Sequence, residues 1–340
     1  MRGIEHTLNP RKILRQFLVG VGGSAGALVL IVLSLFRREG RVVFAVPAPQ
    51  YLLLAVLLLI CGWSCDALRV TVTARIWRKR IRFRDGLTVV LSGYFLSGIT
   101  PANTGGNVAE IYVLTKSRLS LGEATSLTLV GGALYSLSLV VLFLLFSLLQ
   151  KEPIPSRIFQ ITSYLLGLYA ILIGILAAFL RFPAPLVALS GKVGTFLASR
   201  FPRLAPTGQE IPTLVSNFLL DLREKLLIFL RNPHYLGWNI SMYCLHFLCL
   251  FGTTYFILLA LAETRLSWPS TIHLQVPLFF ALRFTPVPGA SGVAELSFAS
   301  LFKPFLEGGK VSLLVFFWRL LTYYGALGAG SIAFFRTLAR

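Results

Sequence analysis

Six stretches of this chain, 17–36, 50–70, 121–149, 158–180, 235–262 and 311–335, stay apolar for about 20 residues or more, the length that crosses the hydrocarbon core of a bilayer. A chain carrying such runs from end to end has no soluble globular solution. The composition agrees: 56% of the residues are hydrophobic and only 13% charged, against about 25% charged in soluble domains, and the mean hydropathy is +0.76. Backbone in lipid must satisfy its own hydrogen bonds, so the expected class is an all-α polytopic membrane protein.

Two further apolar segments, 86–117 and 271–306, are interrupted at 100–107 and at 285–292 by stretches rich in Pro, Gly or Asn. They read as broken, re-entrant helical hairpins, which makes eight hydrophobic segments: six full spans plus two hairpins. The distribution of charge supports hairpins over crossings. The net charge is +19, from 32 Lys and Arg against 13 Asp and Glu, and short cytoplasmic loops hold the excess of positive charge. If both broken segments return to the side they entered from and the N-terminus is cytoplasmic, 21 basic residues lie inside and 8 outside. Full crossings would place the basic region 181–231 outside. The expected setting is a bacterial-type cytoplasmic membrane with both termini cytoplasmic. Loops over anionic lipid account for the basic surplus, and no stacking or RNA-binding motif points to nucleic acid.

The linking region 181–233 has two amphipathic stretches, Leu186, Leu189, Val193, Leu197 and Val215, Leu219, Leu222, Leu226, Phe229. They are expected to lie on the cytoplasmic interface, with Lys192, Arg223 and Lys225 toward head groups or water.

The two breaks share a pattern: Thr100-Pro-Ala-Asn-Thr-Gly-Gly-Asn-Val-Ala-Glu110 and Thr285-Pro-Val-Pro-Gly-Ala-Ser-Gly-Val-Ala-Glu295. Thr-Pro and Val-Ala-Glu recur at identical spacing, which reads as an internal duplication within one transmembrane domain, 1–340. The units, about 50–149 and 235–335, run in opposite senses in the topology above. Inverted repeats with broken helices near the midplane are a transporter design.

Pro101 and Pro286 end one half-helix, and the glycine-rich stretch after each exposes N–H groups that hydrocarbon cannot satisfy. Asn107 and Gly292 stand at N-cap positions, where a half-helix offers about half a positive charge to an anion. The spacing Asn107 to Glu110 also fits a capping box, so each glutamate has two readings, helix cap or ligand. Arg319 lies eight residues into the last apolar segment, where burial costs about 2.5–3.5 kcal/mol unless it is paired. Its planar fork suits a phosphate, and its alternative role is an ion pair with Glu295 or Glu110. Together Glu110, Glu295 and Arg319 are expected to line one polar cavity, with Asn103, Asn107, Gly105, Gly106, Gly289 and Gly292 contributing backbone or amide contacts and Arg283 beside them. Arg69 sits near a span end, where it is expected to snorkel to the interface, with Asp66 one turn away as its partner.

Cys61, Cys65, Cys244 and Cys249 all fall in apolar segments, where thiols act as small hydrophobes. A zinc site built from Cys61, Cys65 and His246 is not the expected reading, and the four histidines are scattered. No metal, cofactor or P-loop is expected. Gly22-x-x-x-Gly26 permits close helix packing, which would serve a homo-oligomer.

The 101–110 stretch, the 285–295 stretch and Trp318-Arg319-Leu320-Leu321-Thr322-Tyr323-Tyr324 together resemble the lysylphosphatidylglycerol synthase transmembrane-domain family of flippase-like proteins. The resemblance covers most of the chain and brings Tyr323 into the candidate site. In two-part members this domain moves aminoacylated phospholipid between leaflets while a soluble domain synthesises it. Membrane segments are expected to take up this sequence and to leave no room for such a domain. The resemblance implies translocation of a phospholipid, an aminoacylated phospholipid or a lipid-linked head group, with membrane lipids as partners and no enzymatic step. The other function classes are an intramembrane enzyme acting on a lipid or polyprenyl phosphate, and a non-transporting partner in envelope lipid metabolism.

Overall fold

The computed structural model describes residues 47–149 and 205–339 apart from 264, 284 and 307–308, together with 21–27 and isolated positions at 18, 29 and between 167 and 188. Regular structure among these residues is helical throughout. Ten α-helices are delimited among the described residues of 47–149 and 205–339: α1 (Pro49–Thr73), α2 (Phe83–Ile99), α3 (Thr104–Lys116), α4 (Leu121–Leu149), α5 (Ala205–Leu230), α6 (Pro233–Ala260), α7 (Trp268–Leu282), α8 (Val293–Phe302), α9 (Lys310–Arg319) and α10 (Gly325–Leu338).

Among the described residues, four stretches are long and apolar enough to cross a membrane: Pro49–Trp77, Leu121–Leu149, Pro233–Ala260 and Lys310–Leu338. The chain is therefore a polytopic membrane protein. These four stretches contain the spans expected at 50–70, 121–149 and 311–335, and the one expected at 235–262 runs two residues earlier, ending at Ala260. The spans expected at 17–36 and 158–180 lie largely outside the described residues, as does the first amphipathic stretch, 186–197.

Helices α1 and α6 form the most closely packed pair and carry the centre of the bundle. A second tight pair is α2 with α3, folded back on one another across the first break. Gly106 makes this possible, since a Cβ there would lie 3.0 Å from the Gly93 carbonyl and on top of the Ser97 hydroxyl. Helix α10 closes over α2 and seats Phe334 against Phe95, ring centroids 5.8 Å apart. On the other side α8 packs on α9, where Phe298 and Trp318 stack with centroids 4.0 Å apart.

Helix α5 departs from the interfacial expectation. Leu222, Leu226 and Phe229 are buried against α4 and α6, in one cluster with Phe146, Phe247 and Phe251. The Arg223 guanidinium donates to the Leu180 carbonyl at 2.8 Å, and Lys225 pairs with Glu224 and Asp221. The apolar stripe thus meets protein. Periodicity identifies such a stripe but not the surface that covers it.

Candidate functional site

The two breaks meet tip to tip, Ala102 N–H donating to the Thr285 carbonyl at 3.1 Å. Each holds two successive residues in the left-handed region just after a proline: Ala102 (φ 49°) and Asn103 (φ 57°) in the first, Gly289 (φ 60°) and Ala290 (φ 50°) in the second. Despite the shared sequence, their helices begin at different points. Helix α3 starts at Thr104, with Asn103 as N-cap and the Thr100 hydroxyl accepting from Gly105 N–H at 2.8 Å. Helix α8 starts only at Val293, because Pro288 stands where the first break has Asn103 and its ring fixes φ at about −65°, which bars the left-handed N-cap that Asn103 adopts. Asn107 is consequently inside α3 rather than at its N-cap, and the capping-box reading of Glu110 is wrong. For Glu295 that reading holds: its Oε2 accepts from Gly292 N–H at 2.7 Å.

Glu295 does more than cap. Its Oε1 accepts from Arg319 Nε at 2.7 Å and from the Ser24 hydroxyl at 2.5 Å, with no solvent exposure. Arg319 spends a second donor on the Gly289 carbonyl, 3.1 Å away, and its guanidinium lies 4.5 Å from the Tyr323 ring centroid. Tyr323 in turn donates to the Gly98 carbonyl of α2 at 3.1 Å. One turn of π-helix, Leu320–Tyr324, follows Arg319 and carries Tyr323; such single turns often occur at functional sites. Gly289 is required twice over, by its positive φ and because a Cβ would sit 2.6 Å from both the Gly98 carbonyl and the Tyr323 hydroxyl. The ensemble is a latch that joins the last span, the second break and the first hairpin.

Below the tips lies a cleft of about 450 Å³. Of the residues singled out from sequence, Asn103, Asn107, Glu110, Arg283, Gly289, Arg319 and Tyr323 line it. Glu295, Gly105, Gly106 and Gly292 do not. Glu295 stands behind Arg319, and Gly105 and Gly106 are absorbed into the α2–α3 contact. The expected three-charge cavity therefore presents Glu110 and Arg319 but not Glu295.

A buried polar cluster built around the expected Asp66–Arg69 pair lines another part of the cleft, and its burial and its further members are what sequence reasoning missed. Arg69 is only 2% exposed, so it does not snorkel. Its Nε donates to Asp66 at 2.6 Å, Nη1 to Asn239 at 3.4 Å, and the guanidinium lies 4.4 Å from the Tyr243 ring centroid. The Tyr94 hydroxyl donates to the other Asp66 oxygen at 2.8 Å. Asp66, Tyr94, Tyr243 and His246 all reach the cleft; Nδ1 of His246 bonds the Gly62 carbonyl at 2.9 Å, which places it in the packing between α1 and α6. A signal for this cluster existed: Asp66 and Arg69 stand three apart in a helical run that continues to Trp77.

With Arg319 held by Glu295 and Arg69 by Asp66, two charged cleft groups remain uncommitted. Glu110 makes no ion pair within 4 Å among the described residues; the Thr128 side chain stands beside it in the cleft, and Arg69 and Arg283 act on it from farther away. Arg283 lies over the Tyr135 ring, 4.7 Å from the centroid, and likewise closes no ion pair there. Among the described residues no three His, Cys, Asp or Glu side chains converge as a metal ion would require.

The description "Lysylphosphatidylglycerol synthase TM region" matches residues 13–330. A "UPF0104 membrane protein" of Archaeoglobus fulgidus is 23% identical over 291 residues, covering 83% of this chain and 85% of that protein. No solved structure matches.

Proposed function

The chain belongs to the lysylphosphatidylglycerol synthase TM region family, and from that premise we propose that it translocates a phospholipid, an aminoacylated phospholipid or a lipid-linked head group across the cytoplasmic membrane. The observation that carries the proposal is the polar cleft beneath two abutting helix breaks, lined by Arg283 and Glu110, neither of which closes an ion pair among the described residues. A guanidinium offers two donors to phosphate oxygens, and a carboxylate offers an acceptor for a hydroxyl or ammonium. A charged group at this depth without a close partner is costly unless a ligand supplies one. The head group lodges between Arg283 and Glu110 while its acyl chains stay in lipid, and no bond is made or broken. In this reading the chain has six spans and two re-entrant hairpins, with units 50–149 and 235–335 inverted about the cleft and both termini cytoplasmic.

Leaflet exchange tests the proposal. In vesicles containing the purified protein, a head-group-labelled phospholipid should become accessible to an impermeant quencher beyond the half present in the outer leaflet at the start. Exchange no faster than in protein-free vesicles, for phosphatidylglycerol, phosphatidylethanolamine and lysyl-phosphatidylglycerol alike, would refute it.

A further inference from the structure

A second concavity, of about 620 Å³, opens where the turn after α1 and the start of α2 meet the ends of α3 and α10. It shares no lining residue with the central cleft. Four exposed cations surround it, Arg80 and Arg82 from one turn and Lys116 and Arg118 from another, against one carboxylate, Asp85. None of the four closes an ion pair within 4 Å among the described residues, and Lys116 has only the Tyr112 ring beside it, 5.6 Å from the centroid.

The neighbouring hydroxyls do not relieve this charge. Thr88, Ser117 and Thr337 each donate to a carbonyl of their own helix, at 2.8, 2.9 and 3.0 Å. The free donors of the concavity are therefore cationic. Arg118 is held in the left-handed region at φ 76°, where Gly or Asn is the easier residue. The cations come from positions more than 30 residues apart in sequence, so the fold, and not one basic run, gathers them.

We infer that this concavity is a binding site for a phosphate group, separate from the translocation cleft. Three arginine forks and a lysine suit an anion with several oxygens, and such an anion relieves the mutual repulsion of the cations. The site stands at the bundle end where Trp77 closes the stretch Pro49–Trp77 and α10 stops, which the proposed span arrangement puts at the level of lipid head groups. A phosphate there is supplied by an anionic lipid of that leaflet or by the aqueous phase. The inference does not depend on translocation, since it concerns occupancy of a different site.

Titration calorimetry on the detergent-purified full chain at low ionic strength decides it. The probes are dihexanoyl-phosphatidylglycerol, inorganic pyrophosphate and, as the zwitterionic control, dihexanoyl-phosphatidylcholine. At least one anionic probe should bind more tightly than the control, and Arg82→Gln with Arg118→Gln should weaken it by about tenfold or more. Arg231→Gln with Lys303→Gln, an equal loss of charge elsewhere, should change it by less than about twofold. Tighter binding of the phosphatidylglycerol assigns the lipid as the source, and tighter binding of pyrophosphate assigns the aqueous phase. Binding of both anions no tighter than the control, or an equal loss in the two double variants, overturns the inference.

Discussion

At the scale of residues, the two arginines of the cleft have different work. Arg319 is held by Glu295, the Gly289 carbonyl and the Tyr323 ring, whereas Arg283 lies over the Tyr135 ring and closes no ion pair among the described residues. Removing one partner of a buried pair leaves the other charge uncompensated, which costs about 3–5 kcal/mol. Arg319→Leu should therefore lower the unfolding midpoint of the purified protein sharply, and Arg319→Lys, which keeps the charge but loses the fork, should lie between it and the parent. A midpoint for Arg319→Leu equal to the parent's would show that the latch carries no stability. The Glu295–Arg319 pair was legible in sequence because both charges stand in apolar segments with few partners available. Arg69 was not, because a span of about 20 residues was assumed where the helical run extends from Pro49 to Trp77, and a charge placed near the end of the shorter span lies inside the longer one.

At the scale of elements, the Thr-Pro…Val-Ala-Glu repeat located both breaks correctly but not the start of each helix. The two windows differ at one decisive position, Asn103 against Pro288. Asn tolerates the left-handed N-cap and lets α3 begin at once, while Pro postpones α8 until Gly292 and leaves Glu295 in its first turn. The same element logic gives a prediction at the tip. Gly289→Ala combines a left-handed backbone with a Cβ driven into the Gly98 carbonyl and the Tyr323 hydroxyl. It should separate the last span from the first hairpin, seen as accelerated protease cleavage near 98–104 and a lowered midpoint. Gly292→Ala, also at positive φ but with open space around its Cβ, should perturb less. Equal effects of the two would assign the damage to backbone strain alone.

At the scale of the whole molecule, membrane class and family follow from apolar run length and the motif windows, whereas the partner of each helix does not. The docking of α5 on α4 and α6, and of α10 on α2, depends on shape complementarity between segments far apart in sequence. The proposed orientation predicts that Arg80→Cys and Lys116→Cys, in a background lacking the four native cysteines, resist an impermeant thiol reagent applied outside intact cells, while Lys303→Cys reacts. Labelling of Lys116→Cys with protection of Arg80→Cys would instead make 86–117 a full crossing.

The central claim is that a phosphate-bearing head group passes through the cleft on Arg283, and the rate of leaflet exchange in matched vesicles tests it most directly. Arg283 closes no ion pair among the described residues, so Arg283→Gln should keep the parent's unfolding midpoint and yet slow exchange by about tenfold or more, the loss of one charge-assisted contact. Exchange at the parent's rate from a correctly folded Arg283→Gln protein would contradict the account.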